Sequence, residues 1–344
     1  MPYQTKQKEK ISEIQVNCAV CDSDRYTPLF HIPPRKIVAC FECGHEYVNP
    51  IPNPSDIPEC RFSPDEEISI GTQIDIAYFR KVFDKYGIKD GKLLDLGCGQ
   101  GRLEKGLIGL GWQAENIYLM DSSERNVAVA EAKYHSSTAI CRDAQEGIGF
   151  NNYLDCVLMV EFLEHLANPK KAFQNALAAL KHEGLMILRG LPNNDSLEAF
   201  IGNERWRMRQ FIHHYHFFNH ETLAAFVGNF GDAQILESDT FLQEGYRFYD
   251  IARIARNIGI VKESDVDEHT TYDGTVVETA DLTNLVLAKI GCIDFGSYKH
   301  KDRLPKKQLN VHSSKEDVEE FFNKVSLDQF LSPDISVVIR KVRG

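Results

Sequence analysis

The chain has 344 residues, 43% hydrophobic and 26% charged, enough for one large domain with a small one or for two ordinary domains. A formal charge of −11 argues against a broad phosphate-binding face and so against a nucleic-acid partner, although Arg205, Arg207 and Arg209 around Trp206 make a local basic cluster. No run approaches the roughly 20 apolar residues that span a bilayer, and the polar start has no apolar signal core, so a cytoplasmic protein without membrane contact is expected.

Residues 1–50 carry two close cysteine pairs, Cys18-Ala-Val-Cys21 and Cys40-Phe-Glu-Cys43-Gly44, with 18 residues between them. Two such turns present Cys18, Cys21, Cys40 and Cys43 to one point, which suits a tetrahedral zinc ion. Four thiolates fill its coordination shell, so the ion is structural, and it supplies stability that fifty residues of core do not. Residues 51–72 contain Pro52, Pro54, Pro58 and Pro64 among acidic residues and read as a linker.

From 73 to 291 helices and strands alternate. Ile74, Ala77, Tyr78, Val82 and Phe83 recur at helical spacing, on a helix that could lid a ligand or simply pack. Lys92–Leu96 is a buried strand entering a glycine-rich turn, followed by a helix over Leu103–Leu110. Asn116–Met120 is a second strand ending at Asp121, and a helix capped by serine runs to Lys133. Leu154–Val160 and Leu185–Leu188 are further buried strands, with a helix over Pro169–Leu180 between them. Ala233–Glu237 and Leu285–Ile290 read as the last strands, with a helix near Tyr249–Asn257. The pattern predicts an α/β fold, a parallel sheet with helices on both faces. Residues 292–344 form an extension, helix-like over Asp317–Phe322 and strand-like over Asp334–Arg340. An added strand, a dimerisation element and a lid all fit it, and the oligomeric state is left open.

Asp95-Leu-Gly97-Cys-Gly99-Gln-Gly101 lies at the end of the first strand, where open parallel sheets bind ligands. Glycines let the backbone approach a ligand closely. Asp95 ahead of them suits a cationic group better than a phosphate. Asp121 follows at the spacing of an acid that accepts ribose hydroxyls, and Asp143-Ala144 ends a third element. Then comes Val160-Glu161-Phe-Leu-Glu164-His165-Leu166. In this order, residues 92–190 resemble the class I, Rossmann-like methyltransferases that use S-adenosylmethionine (SAM). The resemblance places Asp95, Gly97, Gly99 and Gly101 at the methionine end of SAM, Asp121 at the ribose, Asp143 and Ala144 at the adenine, and Glu161 beside the sulfonium. The cysteine module, with its sequel Tyr47-Val-Asn49-Pro50, resembles the zinc ribbon ahead of many bacterial methyltransferases of sugar and small-molecule biosynthesis. A ribbon also precedes a ribosomal RNA base methyltransferase.

Methyl transfer needs an aligned acceptor and, for many acceptors, a base. The segment His213-His214-Tyr215-His216-Phe217-Phe218-Asn219-His220 follows the fifth strand, where such enzymes bring in acceptor groups. His213, His216 and His165 are therefore the expected catalytic candidates. In an extended segment His214 points the other way, and His220 flanks a helix. The expectation is methyl transfer to a small molecule, with a sugar nucleotide or other biosynthetic intermediate as acceptor. An RNA or protein methyltransferase that uses the ribbon for recognition, and a non-catalytic SAM-binding protein, are the alternatives.

Overall fold

A computed structural model describes residues 12–53, 70–88, 90–196, 199, 204, 206–239 and 334–343. The elements expected at Tyr249–Asn257, Leu285–Ile290 and Asp317–Phe322 lie outside the described residues. The chain divides into two compact units, Met1–Leu191 with Phe211–Ser238 and Ser336–Gly344, and Pro192–Gln210 with Asp239–Ile335.

The first unit opens with β1 (Glu13–Ile14), β2 (Tyr26–Ile32), β3 (Arg35–Cys40), β4 (Glu46–Val48) and β5 (Ile51–Pro52). β2, β3 and β4 pair antiparallel, and β1 pairs antiparallel with β5. Residues 51 and 52, expected in the linker, thus belong to a strand pair. Helix α1 (Ile70–Tyr86) follows and buries Tyr78, Val82 and Phe83 of the expected stripe together with Phe79, while Ile74 is half-buried and Ala77 exposed.

The main sheet is built from β6 (Leu93–Leu96), β7 (Ile117–Asp121), β8 (Thr138–Cys141), β9 (Leu154–Val160), β10 (Leu180–Pro192), β12 (Ala233–Asp239) and β13 (Asp334–Lys341). Their spatial order is β12-β13-β10-β9-β6-β7-β8. The five strands from β10 to β8 are parallel. Between them run α2 (Glu104–Gly109), α3 (Glu124–Lys133) and α4 (Pro169–Ala179). Caps explain where two of these start: Ser123 accepts from the amide of Asn126, and Asn168, with Pro169 behind it, from that of Lys171. Leu93, Leu94, Leu119, Val157, Leu158, Met186 and Ile187 are fully buried, as continuous apolar strands between two helical layers require.

The chain order makes a switch point. β6, β7 and β8 proceed outward one way, and β9 and β10 lie on the other side of β6. Right-handed crossovers in opposite directions place the two sets of helices on opposite faces and leave a crevice at the carboxyl ends of β6 and β9.

β13 lies between β10 and β12, with Ile335, Val337, Val338 and Ile339 buried, so the sheet draws on residues beyond the boundary expected at 291. Among the described residues no helix is long and apolar enough to cross a membrane. In the second unit, helix α5 (Arg207–Gln210) carries Arg209, whose guanidinium lies over the ring of the buried Trp206 and donates to Asn194 Oδ1 at 2.6 Å. That arginine of the basic cluster is a packing group.

Removing residues 334–344 takes a strand out of the sheet. The truncated chain is expected to lose the cooperative thermal transition that the full chain shows by circular dichroism.

Candidate active site

At the carboxyl end of β6 the glycine turn is pinned from beneath. The amides of Gly97 and Cys98 both donate to the Met120 carbonyl, at 2.8 and 3.0 Å. Gly99 N donates to Asp121 Oδ2 at 2.9 Å, and Asp121 Oδ1 accepts from Ser123 N at 2.9 Å. Asp121 therefore joins the turn to the N-terminus of α3, work that its position in the sequence did not reveal. Gly97 and Gly101 have φ of +80° and +79°, and a Cβ on Gly97 would come 2.2 Å from the Phe162 ring.

Asp95 is 2% exposed, and its Oδ2 has no hydrogen-bond partner among the described residues. Loss of solvent pushes its carboxyl up to about 7; the Arg102 guanidinium works against this, and Asp121 and Asp75 with it. Across the crevice, Glu161 follows β9 with φ +49°, a strained conformation for a side chain other than glycine. Its amide donates to the Arg189 carbonyl at 2.8 Å. Asp143 accepts from the amide of Gln145 at 2.8 Å, and the Ala144 carbonyl accepts from Asn175 at 2.8 Å, which orders the loop after β8.

Four polar residues here, Thr72, Asp75, Arg102 and Arg189, were not expected. Arg102, directly after Gly101, pairs with Asp75 Oδ2 at 2.9 Å and donates to Thr72 at 3.1 Å. Arg189 Nε donates to Asp75 Oδ1 at 3.0 Å and its guanidinium covers the Tyr78 ring. One carboxylate thus holds α1 to both the glycine turn and β10. The signal was present: Thr72, Asp75 and Tyr78 share one face of α1 at three-residue spacing.

The four N-terminal cysteines do come together. Cys18 and Cys43 sulfurs are 3.5 Å apart, Cys21 and Cys40 sulfurs 3.4 Å, and all four lie within 4.8 Å of one another. Tetrahedral metal–thiolate bonds of about 2.3 Å require sulfurs about 3.8 Å apart, so the set fits one ion. The contact with Cys18 draws Cys43 down to about 5 and pushes Cys18 up, since neighbouring thiols cannot all ionise without a cation.

Residues 73–232 match a family model described as a methyltransferase domain. That segment is similar to methyltransferase domains. Over 131 residues the chain is 34% identical to a ubiquinone biosynthesis O-methyltransferase of Caulobacter sp. (strain K31), covering 33% of this chain and 48% of that one. A protein of the same name from Roseobacter denitrificans is 32% identical over 151 residues, 40% of this chain and 58% of that one. The chain spans about half the length of the curated relatives it matches. Among solved structures, a SAM-dependent methyltransferase from Archaeoglobus fulgidus aligns with a TM-score of 0.46 at 17% identity, covering 78% of this chain and 94% of that one. The sheet is the class I, Rossmann-like sheet expected, behind a cysteine module that fits a zinc ribbon.

The histidines are used differently from the expectation. His216 is 1% exposed, with Nδ1 3.2 Å from His45 Nε2 and Nε2 3.1 Å from the Leu166 carbonyl, so neither nitrogen can take a proton from an acceptor. Its two-residue strand β11 (His216–Phe217) pairs with β4 and completes the ribbon sheet. His213 is half-buried and its carbonyl accepts from His165 Nδ1 at 3.0 Å. His214 is buried with its ring 4.7 Å from that of His165. His220 opens helix α6 (His220–Gly228), whose cap is Asn219 with Thr222. Of the three expected catalytic histidines, His165 and His213 are partly exposed and His216 is not, and His165 lies on the loop that follows Glu161. Glu164, His165 and His214 also bring three ligand-type atoms within 4.8 Å of one another.

Gly97→Ala places a methyl group inside the Phe162 ring at positive φ. It is expected to cost about 2 kcal/mol or more of stability by denaturant melting, and to displace the loop that carries Glu161. Gly109→Ala, with open space around it, serves as the control.

Proposed function

We propose that this chain transfers the methyl group of SAM to a small-molecule acceptor. The observation that carries the reading is Asp95, a carboxyl buried at the switch point beneath a glycine turn, with one oxygen unpartnered among the described residues. A carboxylate in that setting is costly unless a cation meets it, and the ammonium of SAM is such a cation. Gly97, Gly99 and Gly101 admit the methionine end, Asp121 accepts the ribose hydroxyls, and Asp143 with Ala144 receives the adenine. Glu161 borders the sulfonium.

SAM supplies an electrophilic methyl group; the residues of the chain align the acceptor and receive its proton. His165 is the candidate for the proton. Its Nδ1 faces the His213 carbonyl and so carries hydrogen, which leaves the lone pair on Nε2. Loss of solvent lowers it to about 4, the His213 carbonyl opposing, so it is neutral at physiological pH. The matched half of the curated relatives, named for O-methylation in ubiquinone biosynthesis, supports an oxygen nucleophile on a small molecule. We place one structural zinc on Cys18, Cys21, Cys40 and Cys43, on the strength of the sulfur spacing.

The Asp95 carboxyl titrates near 7 when folded against 3.8 ordinarily, so the folded state holds the extra proton between those values and stability falls as pH rises through that window. Asp95→Asn is therefore expected to raise the Tm at pH 8 by on the order of 5 °C without SAM. The same substitution is expected to weaken SAM binding by about tenfold or more in calorimetry. In the unsubstituted protein SAM affinity should increase from pH 6 to pH 8, with proton release at the lower pH. Equal SAM affinity in both proteins at both pH values would overturn the reading. Methyl-labelled SAM offered with nucleotide sugars, phenolic metabolites and RNA identifies the acceptor by where the label goes.

Elemental analysis of protein purified without chelators should find one zinc per chain. Cys40→Ser should remove it and lower the Tm, whereas Cys98→Ser, at a buried cysteine of the glycine turn, should leave the zinc in place.

A further inference from the structure

We propose that the cysteine module is a clamp on the rim of the cofactor crevice, holding the loop 164–166 through the segment 211–217, with Arg35 and His216 as positioning residues. The proposal rests on the methyltransferase reading only for the meaning of the crevice; the clamp itself stands on contacts within the first unit.

The segment 211–217 lies between two partners and is bonded to both. On the ribbon side, Arg35 at the start of β3 is 2% exposed and its Nη1 donates to the carbonyls of Phe211 at 2.6 Å and His214 at 3.0 Å. Val48 N donates to the Tyr215 carbonyl at 2.8 Å, and β11 pairs with β4. On the loop side, Tyr215 N donates to the Glu164 carbonyl at 2.7 Å, His216 Nε2 meets the Leu166 carbonyl at 3.1 Å, and His165 Nδ1 meets the His213 carbonyl at 3.0 Å.

Proton bookkeeping gives this path a direction. Nε2 of His216 faces a carbonyl and must donate, so its Nδ1 is the acceptor and His45 Nε2 supplies the hydrogen. His45 sits at the end of the second cysteine turn: its carbonyl accepts from Cys40 N at 2.8 Å, and Gly44 N donates to the Cys40 carbonyl at 3.0 Å. A chain of hydrogen bonds therefore runs from the metal-holding turn through His45 and His216 to Leu166, two residues beyond Glu164. The first cysteine turn is fastened separately, where Asn229 at the end of α6 donates to the Val20 carbonyl at 2.6 Å.

Two residues that pair on one edge do not make a strand by themselves. The order of 215–217 is borrowed from β4, and a ribbon of this size borrows its own order from the metal. Loss of the ion, or of the Arg35 guanidinium, should then reach the loop 164–166 while leaving β6 and β7 unchanged.

Hydrogen–deuterium exchange on the full chain, without ligand, tests this. In Arg35→Ala, and in the parent protein stripped of zinc, peptides covering 161–168 and 212–218 are expected to exchange at least about tenfold faster, with those covering β6 and β7 unchanged. Arg35→Lys, which retains a cationic N–H donor group without the planar fork, should restore at least half of the protection. SAM binding measured on the same proteins should weaken about threefold to tenfold. Faster exchange confined to the ribbon and 212–218, with 161–168 unmoved, overturns the clamp. Should Arg35→Ala melt the whole chain, His216→Phe decides instead, since it keeps a ring but loses both the donor for Leu166 and the acceptor for His45: the same two peptides should loosen, and no change in 161–168 overturns the proposal. Failure of the parent protein to bind SAM refutes the methyltransferase reading and leaves the exchange result standing.

Discussion

The site depends on the neighbourhood of β6 and β9, two parallel strands adjacent in space whose crossovers leave in opposite directions. Where crossovers diverge, neither helical layer can cover the strand ends, and the backbone groups there point into an open crevice. Asp95 and Gly97 end β6, Glu161 follows β9, and Asp121 ends the neighbouring β7. The residues proposed for the cofactor cluster at strand ends for this reason, from Asp95 inside the end of β6 and Asp121 at the end of β7 to Gly101, five positions past β6. Their wide separation in sequence collapses once the register is set.

The crevice is built at a cost to the fold. Asp95 holds a carboxyl where solvent is excluded, Glu161 adopts a backbone conformation that favours glycine, and Arg102, Asp75 and Arg189 form a largely buried ion cluster. Each opposes folding or is neutral to it, and each is tolerable because the apolar strands beneath are fully buried. The local strain and the Asp95 oxygen that has no partner among the described residues lie at the same strand ends as the glycine turn. That coincidence is expected where a site is shaped for a ligand that completes it, and not where a core is shaped for stability alone.

The glycine turn and the acids beside it were legible in the sequence because their signals are local. A glycine turn after an apolar run, and an acid at the end of the next strand, are each written within a few residues. So were the four cysteines, whose spacing needs no tertiary context. The rest was not local. β11 is two residues long and exists only by pairing with β4, some 170 positions earlier; β13 returns to the sheet after nearly a hundred residues. The histidine-rich segment misled for a chemical reason. Imidazole serves equally as a proton carrier and as a planar hydrogen-bonding spacer in a core, and composition does not separate the two uses. What separates them is whether both nitrogens are committed, as in His216, and that depends on His45 and Leu166, which the sequence places far away.

The same commitment bears on what the ribbon is for. A module that grips a macromolecule spends its charged and aromatic groups outward. Here Arg35, His45, Tyr47 and Val48 are buried, Arg35 and His45 with their hydrogen bonds turned onto the chain's own segment 211–216. An arginine left 2% exposed gives up the solvent that normally stabilises it, and its desolvation lowers it to about 10, so the two carbonyls it holds must matter to the fold. With Arg35 committed inward, the exposed Lys and Arg side chains among the described residues of the ribbon are Arg25, which lies over Phe41, and Lys36, in a chain whose formal charge is −11. The inward use is the one its residues are arranged to serve.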